Sequence, residues 1–172
     1  GLHSDRFTGG SFAEYAAVPT DLLAPLPDEV SFEDGAAVAL VGVTAWRALV
    51  HHAALEPGET AFVHGGNGGV GHVAVGLADA MGASVVTTAR PAYHEALEDL
   101  GAEVVLDYRR DDLAAAARDA TGGAAAVLDH MPDEYLPLDL EVAAFGGDVA
   151  TIVGTDTTLD TPEASARVAR AA

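Results

Sequence analysis

The stretch His64-Gly65-Gly66-Asn67-Gly68-Gly69-Val70-Gly71 decides the fold of this chain. It follows a short apolar run, Thr60-Ala61-Phe62-Val63, and opens a helical pattern that extends from Val70 to Met81. Three of its glycines have the spacing G-x-G-x-x-G, which permits a tight turn, close approach of backbone to a pyrophosphate and close helix–strand packing. Strand, glycines and helix come in the required order, so the stretch predicts a dinucleotide-binding loop. A glycine-rich turn that binds nothing is the alternative.

The predicted contacts of this loop are made by its backbone. The first turn of a helix offers unpaired N–H groups and a partial positive charge, both of which favour phosphate. We therefore expect the loop residues to face the cofactor; these are Gly66, Asn67, Gly68, Gly69, Val70 and Gly71.

Strand and helix patterns alternate from residue 60 onward. Predicted strands cover about 60–65, 84–89, 104–107, 125–129 and 148–154, and predicted helices cover about 70–81, 91–100, 111–120 and 134–144. This alternation indicates an α/β fold with a doubly wound parallel sheet (Rossmann), which binds ligands at the carboxyl ends of its strands. The pattern of Thr161–Ala172 predicts a short helical tail instead of a sixth strand, so we expect a domain truncated at its C-terminal end.

The first third of the chain has a different pattern. Phe12–Pro19 alternates enough to predict a strand. Ser31-Phe32-Glu33-Asp34 fits a capping box, with Ser31 as N-cap and Asp34 reaching back. The helix that begins there is predicted to continue to about Leu55, with a break at Gly42.

Acidic residues dominate the charge of the chain. There are 27 acidic and 8 basic residues, giving a formal net charge of −19, and every basic residue is arginine. The acids are spread along a sequence that is 49% hydrophobic, which favours a solvated acidic shell around an ordinary core over a disordered tail. This composition predicts adaptation to a salt-rich cytoplasm, with simple acidic drift as the alternative. Nucleic acid is disfavoured as a partner because phosphate backbones require a basic footprint.

Cysteine is absent, which excludes a disulfide framework and a thiolate metal site within this sequence. No apolar run approaches the roughly 20 residues of a membrane span, and the N-terminus has no signal-peptide pattern. We expect a cytoplasmic protein that does not associate with membranes.

Four motifs, taken in order, resemble the medium-chain dehydrogenase/reductase superfamily, and most of all its zinc-independent, quinone oxidoreductase-like branch. Gly10-Ser11-Phe12-Ala13-Glu14-Tyr15 resembles the end of that family's substrate domain, and Gly42-Val43-Thr44-Ala45-Trp46 resembles its G-x-T-A-[YW] segment. Val63-His64-Gly65 with Gly68-Gly69-Val70-Gly71 is similar to its V-H-G-x-x-G-G-V-G. Leu100-Gly101-Ala102-Glu103 with Asp107-Tyr108-Arg109 is similar to its L-G-A-[DE]…[DN]-Y-[RK].

The resemblance implies a GroES-like substrate domain, of which residues 1–30 would be the end and linker, followed by a Rossmann domain over 31–172. Most of such a substrate domain is absent from this sequence, and the active site of these enzymes lies between the two domains. Relatives often dimerise through the last strand of the sheet, so a homodimer is one expectation for the quaternary structure.

The end of the second predicted strand bears on the choice of cofactor. NAD-selective sites place an acid there for the ribose 2′-OH, whereas this sequence reads Thr88-Ala89-Arg90 and offers a guanidinium for a 2′-phosphate. In relatives the tyrosine equivalent to Tyr108 also approaches that phosphate. We therefore expect NADPH in preference to NADH. A surface arginine that serves only the acidic shell is the alternative.

Further contacts follow from the resemblance alone. It places Thr44 near the nicotinamide and inner phosphate, although an N-cap after the Gly42 break would also explain this residue. It places the ends of the fourth and fifth strands near the adenine and the nicotinamide; the residues are His130, Met131, Val153 and Thr155. Leu40 stands where zinc-dependent relatives have a metal-binding cysteine, so we expect no zinc.

The predicted function is that of an NADPH-dependent oxidoreductase that transfers hydride to a quinone or an α,β-unsaturated carbonyl, a small-molecule substrate. No general acid or base is visible in the sequence. The chain has neither the G-x-S-x-G of serine hydrolases nor the Tyr-x-x-x-Lys of short-chain dehydrogenases. His64 is interpreted as support for the turn. A zinc-type alcohol dehydrogenase and a non-catalytic dinucleotide-binding module remain the alternatives.

Overall fold

A computed structural model describes residues 12–152 and the backbone of 167–170. The helices are α1 (Phe32–Trp46), which continues as a π-helical segment (Arg47–His52), α2 (Gly69–Ala80), α3 (His94–Asp99, after a 3₁₀ turn at Pro91–Tyr93), α4 (Leu113–Thr121) and α5 (Pro132–Val142). The strands are β1 (Thr60–Val63), β2 (Ser84–Thr88), β3 (Val104–Leu106), β4 (Ala124–Asp129), β5 (Ala143–Thr151) and β6 (Arg167–Arg170).

The strands form one parallel sheet in the order β3-β2-β1-β4-β5-β6. This is the strand order of a dinucleotide-binding Rossmann fold, with its crevice where the winding reverses between β1 and β4. The predicted doubly wound sheet is therefore confirmed. Among the described residues, no helix is long and apolar enough to cross a membrane.

Both faces of the sheet are covered, and successive strand residues serve opposite faces. Ala61 and Val63 of β1 pack with α1, α2 and α3, whereas Phe62 between them packs with α4 and α5. Because strand side chains alternate, continuous apolar runs are the expected pattern for strands buried on both faces. The core sits in two layers, and the carboxyl ends of the strands remain open for a ligand.

Three predictions about secondary structure are wrong. Phe12–Pro19 forms no strand, because no strand of the described residues pairs with it and Phe12 and Tyr15 are exposed. The helix is not broken at Gly42; the glycine adopts ordinary helical geometry inside α1, and the irregularity comes later, in the π-helical segment. A helical tail was expected at Thr161–Ala172, yet Arg167–Arg170 pairs with β5 as the sixth strand, where ladder hydrogen bonds outweigh helix propensity.

The cap of α1 is confirmed in part. The Ser31 hydroxyl oxygen accepts from the Asp34 N–H at 3.0 Å, as the N-cap prediction requires. The Asp34 carboxylate does reach back, but it accepts from the Ser31 hydroxyl at 2.7 Å and not from the backbone. Gly10 and Ser11 lie outside the described residues. The division at residue 30, the salt adaptation and the dimer stay predictions.

Candidate functional site

The glycine loop joins β1 to α2 at the centre of the sheet. Gly65 has a φ of +62°, and its carbonyl closes the turn by accepting from the Gly68 N–H at 2.8 Å. A Cβ on Gly71 would collide with the Gly65 carbonyl, and one on Gly66 would collide with the Thr87 hydroxyl. Sterics therefore require glycine at both positions, and the loop lies close against β2. The first turn of α2 directs its unpaired N–H groups out of this loop.

Two threonines at the end of β2 hold the loop in place. Thr88 Oγ1 accepts from the Gly65 N–H at 2.9 Å, and Thr87 Oγ1 donates to the Val63 carbonyl at 2.7 Å. Thr87 was not identified from the sequence, where it is one more β-branched residue in a strand.

A cleft of about 450 Å³ opens beside the loop at the carboxyl ends of β1, β2 and β4. It gathers many of the predicted cofactor-binding residues, together with three that were not predicted. The lining residues are Gly65, Asn67, Gly68, Thr88, Arg90, Tyr108, His130, Met131, Glu134 and Tyr135. The loop and β2 form one side, and the β4–α5 connection forms the other. An extended nucleotide can thus lie across the strand ends, as the fold predicts.

A smaller and more apolar hollow of about 290 Å³ adjoins the other side of the loop. Its walls come from α1, the loop and the ends of β4 and β5; they are Val41, His64, Gly65, Gly68, Gly69, Val70, Gly71, Leu128, His130 and Ile152. The loop residues shared by the two hollows make them adjoining parts of one groove. This arrangement suits a long ligand with a polar end and a flatter, less polar end.

Some predicted residues are not at the surface of the groove. Ala89 is fully buried, and Gly66 packs on Thr87, so neither lines the cleft. Thr44 lines neither hollow, and its hydroxyl donates to the Leu40 carbonyl at 2.9 Å within α1, which contradicts the N-cap alternative. Val153 and Thr155 lie outside the described residues. The cofactor contacts of all five stay predictions.

The charged groups at the mouth of the cleft lie on opposite sides. Arg90 is exposed just beyond β2, with its guanidinium carbon 5.5 Å from the centre of the Tyr93 ring. Tyr108, beyond β3, is 39% exposed and lines the cleft. Glu134 lines the opposite side on α5. An anionic group is therefore attracted towards the β2–β3 side and repelled from α5.

A buried polar cluster, His64–Asp129–Asp139, lies behind the cleft. His64 Nε2 is 2.7 Å from Asp139 Oδ1, and each of the three residues is at most 3% exposed. Burial lowers the pKa of His64 to about 4 and raises the pKa of Asp139 to about 7. The pKa of Asp129 is raised to about 6, mainly by burial and to a smaller extent by the negative charge of the neighbouring Asp139. The interpretation of His64 as support for the turn omitted these partners.

One sequence signal could have revealed this cluster. Asp139 is spaced three residues from both Leu136 and Val142, and all three are buried on one face of α5. An acid in the apolar stripe of a helix needs a polar partner, because an unpaired buried carboxylate is costly. Which residue is that partner depends on the packing of α5 against β1 and β4.

The described residues do not form an open zinc site. Within them, the one group of three side chains with clustered metal-type donor atoms is His64, Asp129 and Asp139. In that group the histidine and a carboxylate already share a direct hydrogen bond, and solvent has no access. A catalytic zinc needs a position free for substrate. The absence of zinc stays a prediction.

Comparison with known proteins identifies the family. A model of the family "Zinc-binding dehydrogenase" matches residues 69–169. Polyketide synthase GfsB of Streptomyces halstedii is 36% identical over 88% of this chain, which spans 3% of that protein. The quinone oxidoreductase of Mus musculus is 32% identical over 83% of this chain, which spans 45% of it.

Solved structures share the fold at similar levels of identity. An NAD-dependent alcohol dehydrogenase has a TM-score of 0.82 and 31% identity, covering 94% of this chain and 50% of its own. A mycobacterial protein complexed with NADPH has a TM-score of 0.76 and 33% identity, covering 86% and 49%. The chain thus spans about half the length of these proteins. It belongs to the zinc-binding dehydrogenase family and carries the cofactor domain of a medium-chain dehydrogenase/reductase.

Proposed function

We propose that the groove binds NADPH and that the protein containing this chain is an NAD(P)-dependent oxidoreductase. The observation that carries this proposal is the arrangement of the cleft. The loop accepts only glycine at positions 66 and 71, and it lines the same cleft as Arg90 and Tyr108. Arg90 follows β2, where an NAD-selective site would have an acid, and Tyr108 follows β3. The backbone N–H groups of α2 would hold the pyrophosphate, and Arg90 with Tyr108 would hold the 2′-phosphate.

The cofactor fits the residues present. Added side-chain atoms at Gly66 or Gly71 would collide with the protein, and Gly68, between them, leaves the backbone bare where a pyrophosphate would approach. The cofactor would supply the hydride, and this chain would orient it and shield its less polar end in the apolar hollow. Of the two similar solved structures, the mycobacterial protein is complexed with NADPH and the alcohol dehydrogenase is described as NAD-dependent. The side chains at the end of β2 therefore decide between the two cofactors in this proposal.

We propose a conjugated carbonyl or a quinone as the hydride acceptor. The similar proteins include a quinone oxidoreductase and a polyketide synthase, and solved relatives include an enoyl reductase. Both substrate types accept hydride at a carbon or oxygen conjugated to a carbonyl.

A titration of the purified protein with NADPH and with NADH tests the cofactor assignment. We expect tighter binding of NADPH, and we expect Arg90→Gln to weaken NADPH binding about tenfold while leaving NADH binding nearly unchanged, because it removes a charge-assisted contact to the 2′-phosphate. Arg110→Gln is the matched control, since Arg110 pairs with Asp112 away from the cleft. Equal affinities for the two cofactors in every variant would contradict the proposal.

Turnover assays with a quinone and an α,β-unsaturated ketone test the reaction. Oxidation of NADPH that depends on either acceptor supports the oxidoreductase. NADPH binding without turnover on either acceptor would support the non-catalytic module instead.

A further inference from the structure

The His64–Asp129–Asp139 cluster is not used by any step above, yet it lies directly behind the cleft. Its members come from the residue after β1, the end of β4 and the middle of α5. His64 Nδ1, Asp129 Oδ2 and Asp139 Oδ2 are buried with no donor or acceptor directed at them. The donor atoms of the three side chains lie within 4.8 Å of one another. Other titratable groups nearby are His130, Glu134, Tyr135 and, through Tyr135, Tyr108.

Electrostatics limits the protonation states that this cluster can have. Two ionised carboxylates in mutual contact and out of water would repel each other strongly, and no arginine is among the groups named here. A neutral His64 donates its Nε2–H to Asp139 Oδ1 at 2.7 Å. Each carboxyl has one oxygen, Oδ2, without a partner, and the side chains of Asp129 and Asp139 are within hydrogen-bond reach of each other. If one proton is shared between the two carboxyls, one of them becomes a donor and the other an acceptor. The raised pKa values of Asp129 and Asp139 agree with this arrangement.

Direct contacts connect the cluster to the cleft wall. The His64 ring stacks on Tyr135, with centres 4.5 Å apart and planes inclined by 14°, and Tyr135 lines the cleft. Asp129 Oδ1 accepts from the Met131 N–H at 2.8 Å and so fixes the turn that enters α5. That turn and the first turn of α5 supply His130, Met131, Glu134 and Tyr135 to the lining. A second charge in the cluster would strain these contacts and place negative potential behind a phosphate-binding cleft.

We propose that Asp139 is a positioning residue of the nucleotide cleft, and that the proton it shares with Asp129 holds His64, Tyr135 and the β4–α5 turn in the arrangement that binds NADPH. This inference rests on the proposed function. Asp139 would then control the affinity of the cleft for NADPH without touching the cofactor. Loss of the shared proton at alkaline pH weakens binding, because only the protonated cluster keeps the hydrogen bond between the two carboxyls.

The isosteric variant Asp139→Asn gives the sharpest test. Its amide oxygen accepts from His64 as the carboxylate does, and its amide N–H donates permanently to Asp129, so it imitates the protonated state. We expect the dissociation constant of NADPH for the wild type to rise about tenfold between pH 6.5 and 8.5, and that of Asp139→Asn to change less than about twofold. Ionisation of the cofactor's own 2′-phosphate affects both proteins equally, so the comparison removes it.

Two further measurements separate this role from simple structural support. Asp139→Leu, which removes both hydrogen bonds, should weaken NADPH binding at every pH, including pH 6.5, where Asp139→Asn binds like the wild type. Infrared spectra at pH 6.5 should show a protonated-carboxyl band in the wild type that Asp139→Asn lacks.

The outcomes that overturn the inference differ from those that overturn the proposed function. Parallel pH profiles for wild type and Asp139→Asn, with NADPH bound, would overturn the inference alone. A stoichiometric metal ion in the purified wild type that is lost in Asp139→Asn would also overturn it, because a cation would then replace the shared proton. Failure of the wild type to bind NADPH at any pH would overturn both.

Discussion

The glycine loop and the β4–α5 wall face each other across one cleft, but different forces hold them. The loop is fixed by backbone sterics and by two threonine hydroxyls, none of which ionises near neutral pH. The wall rests on His64, Asp129 and Asp139, which all have shifted pKa values. The loop should therefore be intolerant of an added methyl group and insensitive to pH. The wall should tolerate small changes in side-chain volume better and should respond to pH.

The largest expected effect is that of Gly71→Ala. The new Cβ would collide with the Gly65 carbonyl, which is backbone and has no rotamer to change. We expect the free energy of unfolding to fall by about 3 kcal/mol and NADPH binding to be lost, because overpacking forces the backbone to move. Urea denaturation measures the first effect, and titration measures the second.

Gly76→Ala is the matched control on the same helix. Its Cβ would meet Leu100 Cδ1 at 3.5 Å, an ordinary van der Waals contact, so the helix should gain up to about 1 kcal/mol from the better helix former. Similar destabilisation by the two substitutions would show that the loop has no special steric requirement.

A smaller effect is expected for Thr88→Val, which removes the acceptor of the Gly65 N–H without changing the side-chain volume much. Leaving that donor unpaired should lower the free energy of unfolding by about 1–2 kcal/mol and weaken NADPH binding. Thr60→Val, at the opposite end of the sheet, should be nearly neutral. If Thr88→Val were also neutral in stability and in NADPH binding, the hydrogen bond to Thr88 would not contribute, and sterics alone would hold the loop.

The smallest predicted change is a pH dependence of stability that originates in the wall. The folded-state pKa of Asp139 is raised to about 7, so its stabilising proton is lost as pH rises through that value. His64, with its pKa lowered to about 4, acts in the opposite direction only below its unfolded pKa of about 6.5. Between pH 6.5 and 8.5 the free energy of unfolding should therefore fall by about 1 kcal/mol.

Asp139→Asn should flatten that decline, whereas Thr88→Val should keep the wild-type slope. Urea denaturation at a series of pH values gives both slopes. A wild-type stability that rises over this interval would contradict the assignment of the proton to the wall.

Sequence reasoning identified residues that line the loop side of the cleft, because glycine spacing, strand pattern and the position of Arg90 are local features. Their contacts with a cofactor stay predictions. The parallel sheet follows from the alternation of strand and helix, apart from β6. That strand, Arg167-Val168-Ala169-Arg170, is short, and its pairing with β5 depends on contacts made in the folded state. Local pattern also could not show that α1 passes through Gly42 without a break.

The wall was predicted only in part. His130 and Met131 were reached through family resemblance, whereas Glu134, Tyr135 and Asp139 were missed. Their roles depend on how α5 crosses the end of β4 and brings Asp139 against His64, which is 75 residues earlier in the chain. A contact of that separation leaves no periodic trace in the sequence beyond an acid in an apolar stripe.

A crystal structure of the protein with NADPH tests the central claim most directly. The account predicts the pyrophosphate on the backbone of Gly68 to Val70 and the 2′-phosphate within hydrogen-bond distance of the Arg90 guanidinium and the Tyr108 hydroxyl. A nucleotide bound away from the glycine loop, or a 2′-phosphate directed into solvent away from Arg90, would contradict it.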